Sequence, residues 1–281
     1  MELNEKQLGR RLQEARQAAG LTQQALCQKA GLSYSTLAKI ERGAIKTPSI
    51  FTIQSIAAAL GSSLDDLVGT PLTPRKARGR SRSGVRFVYF DLNNCLIHYF
   101  NRAFIQIADE SGQPADIVET LFWRYNDQTC RGEMTLVAFN KVMAEHLHLP
   151  HFDWHNYYLV ATEAMPHMAS LVTWVHEHYG VGLLTNSMPG LVDQVRKKGL
   201  IPSIPYDAVI DSSEVHLLKP EREIYELAQA KAGCAPEEIL FIDDTRSNLM
   251  AAQKLGWHVM WFDDSRPEES ANRVRDTLQL A

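Results

Sequence analysis

The residues able to do chemistry stand at the ends of short apolar runs. Asp91 follows RFVYF, Thr185 follows GVGLL, Asp243 and Asp244 follow EILFI, and Lys219 stands before Pro220. An aspartate can attack phosphorus and form an aspartyl-phosphate. The attack brings two anions together, which a divalent cation between them makes possible. Carboxylates suited to holding that cation are Asp91, Asp244 directly, and Asp243 directly or through water. A threonine hydroxyl and a lysine ammonium, here Thr185 and Lys219, then bind the phosphoryl oxygens as charge shifts.

These groups are far apart in sequence, so elements must bring them together. The runs RFVYF, YGVGLLT, YDAVI, EILFI and WHVMWF alternate with amphipathic helical stretches. That pattern predicts an α/β, doubly wound (Rossmann-like) parallel sheet. Ligands of such sheets bind beyond the C-terminal ends of the strands, where all five groups fall. A long helical insert follows the first strand.

The order Asp91, Thr185-Asn186, Lys219-Pro220, Asp243-Asp244 with Asn248 resembles the haloacid dehalogenase superfamily of phosphatases, over about residues 86–265. The alternative is a flavodoxin-like sheet with incidental carboxylates. The resemblance implies Mg2+ as cofactor, with Asp91, Thr185 and Lys219 catalytic. It implies Asp91, Asp243, Asp244 and the backbone carbonyl of Asn93 as metal ligands. Asn94, Asn186 and Asn248 become phosphate- or ligand-binding residues. The insert, about 98–169, looks like the helical cap of one branch, and RGEMTLVAF resembles a cap segment of its sugar-phosphate phosphatases.

One position departs from the pattern. Most phosphatases of that superfamily carry D-x-D, where the second Asp protonates the leaving alcohol and then activates water; this chain reads Asp91-Leu92-Asn93-Asn94. An amide donates a hydrogen bond but exchanges no proton at neutral pH. Losing general acid–base help typically costs about 10² to 10⁴ in rate. A subgroup reading D-L-G-N also lacks the second Asp and is still regarded as phosphatase; Asn94 matches its Asn, while Asn93 replaces its Gly. Good leaving groups, such as acyl or anomeric sugar phosphates, need little acid. An aspartyl-phosphate without a base nearby also hydrolyses slowly, which suits a signal.

The front of the chain is read as an all-α domain. Leu8, Leu12, Ala15 and Ala19 recur at helical spacing, and Thr22 and Ser33 are good N-caps for two short helices ended by Gly31 and Gly43. Pro48-Ser49 precedes a fourth helix, IFTIQSIAAAL, and SLDDLV makes a short turn. Two short helices joined by a tight Gly turn form a helix-turn-helix. LTQQALCQKAGLSYSTLAKIERGAIKTPSIFTIQSIAAAL resembles the Cro/phage-repressor family across residues 4–69. The resemblance makes SYSTLAKIE the recognition helix in a DNA major groove. Ser33, Tyr34, Ser35 and Lys39 then face bases, and Gln23, Thr36 and Lys46 face phosphates. The other place for the Tyr34 ring is against the first helix. Family members usually act as dimers on half-sites, so a homodimer on a palindromic operator is expected.

Charge divides the same way. Residues 1–86 carry 14 Lys and Arg against 6 Asp and Glu; residues 87–281 carry 15 against 27. The basic front suits a polyanion. The domains are therefore 1–69, a basic linker at 70–85, and 86–281. The stretch TPLTPRKARGRSRSGVR has two prolines, two glycines and six cations, and reads as an exposed tether or as a basic arm on phosphates. The tail EESANRVRDTLQLA is helical in pattern and docks on its own domain or on a partner subunit.

No apolar run is long enough for a membrane span, and the charged opening MELNEKQLGRRLQEAR is not a signal peptide. The four cysteines form no C-x-x-C pair, which fits free thiols in a cytoplasm. His151 and His155 have helical ligand spacing, but no cysteine or paired carboxylate accompanies them, so cap surface is expected. Trp123, Tyr125, Trp154, Tyr157, Tyr158 and Trp174 are expected mostly as cap core, with one or two at the pocket mouth.

The whole reads as a cytoplasmic transcriptional regulator that binds double-stranded operator DNA and senses a small phosphorylated metabolite with Mg2+. The alternatives are an active phosphatase of small phosphate esters acting through Asp91, and a scaffold in which both halves only bind partners.

Overall fold

Thr22 and Ser33 start their helices by accepting from backbone amides: Thr22 Oγ1 from Ala25 N at 3.1 Å and Ser33 Oγ from Thr36 N at 3.1 Å. This computed structural model describes residues 5–45, 48–60, 79–99 and 102–279. The chain divides into two compact units, 1–76 and 77–281.

The first unit holds α1 (Glu5–Ala18), α2 (Gln23–Ala30), α3 (Tyr34–Glu41) and α4 (Ile50–Leu60). Leu12, Leu26, Leu37, Ile40, Ile53 and Ile56 close its core. At Gly9 a Cβ would lie 2.4 Å from the Ile40 carbonyl oxygen, so glycine lets α1 approach α3. The same two helices share a buried ion pair. Arg16 Nε donates to Glu41 Oε1 at 2.7 Å and Arg16 Nη2 to Oε2 at 3.0 Å. The turn SLDDLV lies outside the described residues.

The second unit opens on β1 (Phe87–Phe90) and β2 (Ile97–Tyr99). Then come α5 (Arg102–Ser111), α6 (Ala115–Cys130), α7 (Leu136–His146), α8 (Trp154–Ala161), β3 (Thr162–Ala164) and α9 (Met168–His178). The rest alternates: β4 (Gly180–Thr185), α10 (Leu191–Lys197), β5 (Ala208–Asp211), α11 (Ser212–Val215), α12 (Arg222–Ala232), β6 (Ile239–Asp243), α13 (Arg246–Lys254), β7 (His258–Trp261) and α14 (Pro267–Thr277).

The five predicted strands form one parallel sheet in the order β5-β4-β1-β6-β7. The chain steps outward from β1 through β4 to β5, then returns to β6 on the other side. That reversal is the switch point at which such folds place ligands. The central strands β4, β1 and β6 are apolar up to the Thr185 and Asp243 that end β4 and β6, because both faces are covered, while the edge strand β7 is half-exposed. Val88 and Phe90 pack on one side, Phe87 and Tyr89 on the other. At Gly182 a Cβ would lie 2.5 Å from the Tyr89 ring, so a glycine on β4 makes room for an aromatic on β1.

Three features differ from the sequence reading. First, the cap is not all helix. It leaves and rejoins the sheet domain through an antiparallel ribbon, in which Ile97 pairs with Ala164 and Tyr99 with Thr162. Strands of three residues are too short to show a two-residue period. Second, the end of the expected linker is anchored to the second unit, while Arg80, Arg82 and Ser83 stay exposed. Ser81 and Val85 are buried, Gly79 N donates to His178 O at 2.7 Å, and Arg80 pairs with Glu238 at 2.8 Å. Arg86 also reaches Glu238, at 3.4 Å. Residues 70–78 lie outside the described residues. Third, Trp174 is not in the cap; it sits on α9 beneath the Arg275 guanidinium.

The tail helix α14 docks on its own unit, burying Val274 and Leu278, with Tyr179 OH donating to the Leu278 carbonyl. No helix among the described residues is long and apolar enough to cross a membrane.

Candidate functional site

Each strand end delivers one chemical group. Asp91 follows β1, Thr185 ends β4, Asp243 ends β6 with Asp244 next, and Lys219 enters from the loop before α12. Lys219 Nζ donates to Asp91 Oδ1 and to Asp243 Oδ2, both at 2.7 Å. Asp91, Asp243, Lys219 and Thr185 are buried.

The asparagines predicted to bind ligand are engaged with the site's own residues. Asn186 accepts from Lys219 N at 2.8 Å and donates to Lys219 O at 2.9 Å, which fixes the backbone that carries the ammonium. Asn248 Nδ2 donates to both oxygens of Asp243, at 3.2 and 3.1 Å. Asn94, in the left-handed region at φ 54, donates to Asp244 Oδ2 at 3.1 Å. All three also line the cavity above.

Asp243 accepts from Lys219, Asn248 and Thr245 N. Among the described residues, Asp91, Cys95 and Asp244 bring possible donor atoms within 4.8 Å of one another. Burial raises the Cys95 thiol pKa, so it offers no thiolate, and a hard cation would rest on the two carboxylates. His155 starts no ligand pair with His151, because α8 begins only at Trp154. Burial lowers the His155 pKa, so the ring is neutral.

Three carboxylates around one ammonium leave the site short of positive charge. Burial raises the Asp91 carboxyl above the ordinary carboxylate range; Lys219 opposes the rise, and Asp243 and Asp244 add to it. Burial likewise raises Asp244, against the hydrogen bond from Asn94. Burial works against the Lys219 charge, but Asp243 and Asp91 outweigh it and keep the ammonium protonated. Thr185 Oγ1 and Ser187 Oγ are buried without a hydrogen-bond partner. Excess negative charge and unfilled hydroxyls fit a divalent cation with an oxyanion beside it.

Asn93 faces the cap. Its Oδ1 accepts a hydrogen bond from the buried Tyr158 hydroxyl on α8. Tyr158 and Trp154, expected as cap core, thus also line the pocket, and Trp123 stands exposed at its edge. The cavity measures about 520 Å³ and lies between the strand ends and the cap, a size suited to a small ligand.

Residues 85–256 match the family model for haloacid dehalogenase-like hydrolases. The chain belongs to that family. Within the hydrolase-family domain the sheet order and the ends of β1, β4 and β6 are those described above. Residues 12–67 match a helix-turn-helix model, so a DNA-binding domain is fused to the hydrolase-family domain.

The chain is similar to mouse acyl-CoA dehydrogenase family member 10, 33% identical over 73 residues, covering 26% of this chain and 7% of that one. It is similar to an (S)-2-haloacid dehalogenase of Pseudomonas fluorescens, 28% identical over 83 residues, covering 30% of this chain and 36% of the relative. It therefore spans well under two thirds of either relative. Its fold is similar to that of a HAD family enzyme from Bacteroides thetaiotaomicron, with TM-score 0.57 and 22% identity, over 64% of this chain and 95% of that one.

On the helix-turn-helix, Tyr34 is 59% exposed rather than packed on α1, and Ser35 and Lys39 are exposed beside it. Ser33, Ser35 and Thr36 share hydroxyl hydrogen bonds of 2.7 to 3.0 Å. Gln23 Nε2 donates one hydrogen bond to Glu41 Oε2 at 2.7 Å, which holds the side chain at the start of α2. Lys46 lies outside the described residues.

Proposed function

We propose that the protein is a transcriptional regulator. Its helix-turn-helix unit binds a palindromic operator as part of a homodimer. Its hydrolase-family unit binds Mg2+ and a small phosphorylated metabolite as the signal, and the setting is cytoplasmic. The observation that carries this reading is Asn93 in the place of a proton-exchanging carboxylate, with its Oδ1 held by Tyr158, while Asp91, Lys219 and Asp244 remain.

Asp91 is oriented by the Lys219 ammonium. Thr185 Oγ1 and Ser187 Oγ offer donors to phosphoryl oxygens. Mg2+ held by Asp91, Asp244 and the Asn93 carbonyl would supply the charge that offsets carboxylate–phosphate repulsion. With an amide at position 93, no side chain there activates water, so a phosphoryl group on Asp91 persists. A ligand seated at Asp91 acts on the cap through Tyr158. Coupling to DNA affinity of about 1–3 kcal/mol is the usual scale for such a switch.

A second reading, turnover of phosphate esters through an aspartyl-phosphate at Asp91, is favoured by the retained Lys219 contacts. Leaving groups that depart without a proton are its natural substrates. The 2-haloacid chemistry in the relative's name fits this chain poorly. A substrate carboxylate would find only Lys219 as a cation in the described lining, and that ammonium already serves two carboxylates.

The test uses an operator selected from random duplexes. Fluorescence anisotropy then measures affinity with Mg2+ alone, with Mg2+ and beryllium fluoride, and with a panel of phosphate esters, while phosphate release is assayed in parallel. Altered DNA affinity without turnover supports the sensor. Turnover abolished by Asp91→Asn, with DNA affinity unmoved, supports the phosphatase.

A further inference from the structure

We propose that the cavity above Asp91 takes a phosphate monoester whose leaving alcohol carries an amine or another cation and no second anion. This rests on the phosphoryl-site reading above and adds to it the chemistry of the leaving group.

The first argument is charge. Among the described residues that line the cavity, Lys219 is the one cation, and its Nζ is already shared by Asp91 and Asp243. The lining holds four carboxylates: Asp91 and Asp244 at the strand ends, and Glu119 and Asp127 on the cap. A metal ion can offset the first pair. No cation in the described lining offsets the second; Arg131, outside the lining, attracts Asp127 but is paired with Glu221 and Glu133. A ligand with a second phosphate or a carboxylate would place it against Glu119 and Asp127 without a partner, which is costly in a partly dehydrated cleft.

The second argument is geometry on α6. Glu119, Trp123 and Asp127 recur every four residues, so they share one face of the helix. Trp123 is 54% exposed, with its ring edge-on to the buried Phe122 at 5.1 Å and its other face open. Its Nε1 donates to Glu119 Oε1 at 3.1 Å, which fixes the carboxylate beside the ring. An indole face flanked one turn either way by carboxylates is suited to an ammonium or quaternary ammonium group. The wall between this face and Asp91 is aromatic, with Tyr99 stacked on Tyr158 at 5.4 Å. A short carbon linker passes such a wall without needing hydrogen bonds.

The third observation lies at the other end. Ser187 Oγ, in a residue 2% exposed and lining the same cavity, has no hydrogen-bond partner. It offers a donor to the phosphoryl oxygens. The cavity thus has a phosphoryl end and a cation end.

The test is isothermal titration of the full chain in Mg2+ with inorganic phosphate and three monoesters of similar size: phosphocholine, ethyl phosphate and phosphoglycolate. Phosphocholine is expected to bind about tenfold tighter than ethyl phosphate, and phosphoglycolate about tenfold weaker. The double variant Glu119→Gln with Asp127→Asn draws the three affinities together. Equal affinities in the unaltered protein, or phosphoglycolate binding tightest, overturn the inference while inorganic phosphate still binds. Failure of inorganic phosphate itself to bind overturns the phosphoryl-site reading and this inference with it.

Discussion

Lys219 bridges Asp91 and Asp243, its Nζ 2.7 Å from one oxygen of each, and all three side chains are buried. One ammonium therefore neutralises two strand ends that would otherwise repel. Lys219→Ala leaves both carboxylates buried without a cation, and the loss is expected to be about 3–5 kcal/mol of stability. Urea unfolding checks it, and a loss under about 1 kcal/mol would show that the bridge is not what holds the strand ends together.

The remaining negative charge makes the site respond to metal. Saturating Mg2+, at about a hundredfold over its Kd, is expected to stabilise the hydrolase-family unit by about 2.7 kcal/mol. Asp91→Asn removes one of the two carboxylates proposed to hold the ion and should abolish this gain. Differential scanning calorimetry with and without Mg2+ reads both; an equal gain in the variant would place the metal elsewhere.

Restoring a proton carrier should restore turnover. Asn93→Asp is expected to raise phosphate release by about 10² to 10⁴. Tyr158→Phe removes the hydrogen bond to position 93, and should lower stability by about 1 kcal/mol. Stopped-flow phosphate detection with an aryl phosphate distinguishes the two variants. No gain in Asn93→Asp would mean that Asn93 is not what limits the site.

In the DNA-binding unit, the Arg16–Glu41 pair ties α1 to the recognition helix. The Glu41 side chain is only 2% exposed, so Arg16→Ala strands its charge. A loss of about 3–5 kcal/mol is expected, and Arg16→Lys recovers little because it cannot make both contacts. Thermal unfolding followed by circular dichroism checks this.

Asp211 gives a pH signature away from the metal group. Burial raises its pKa from the ordinary 3.8, against the hydrogen bonds from Ser213 N and Oγ. The folded state then holds this proton more tightly than the unfolded state. The contribution is fully present below pH 3.8 and is lost as pH rises through the folded pKa. Asp211→Asn should flatten stability across that window. An unchanged urea-midpoint profile between pH 3.5 and 6 would count against it.

The sequence by itself determined the two folds and the five strand-end groups. Apolar runs without alternation mark strands covered on both faces, and Thr22 and Ser33 announce their helices, because those signals are local. The sequence placed Asp91, Thr185, Asp243 and Asp244 at the ends of their strands and Lys219 in the loop before α12, and the parallel sheet gathers them. Only the tertiary structure decided their partners. Asp243 accepts from Lys219 and Asn248, Cys95 came close to Asp91 and Asp244, and Gln23 turned to Glu41. It also decided that Tyr158 reaches from the cap to Asn93, 65 residues away in the chain. A buried polar atom takes whichever partner the packing brings within about 3 Å. That choice depends on elements distant in sequence, and no local pattern records it.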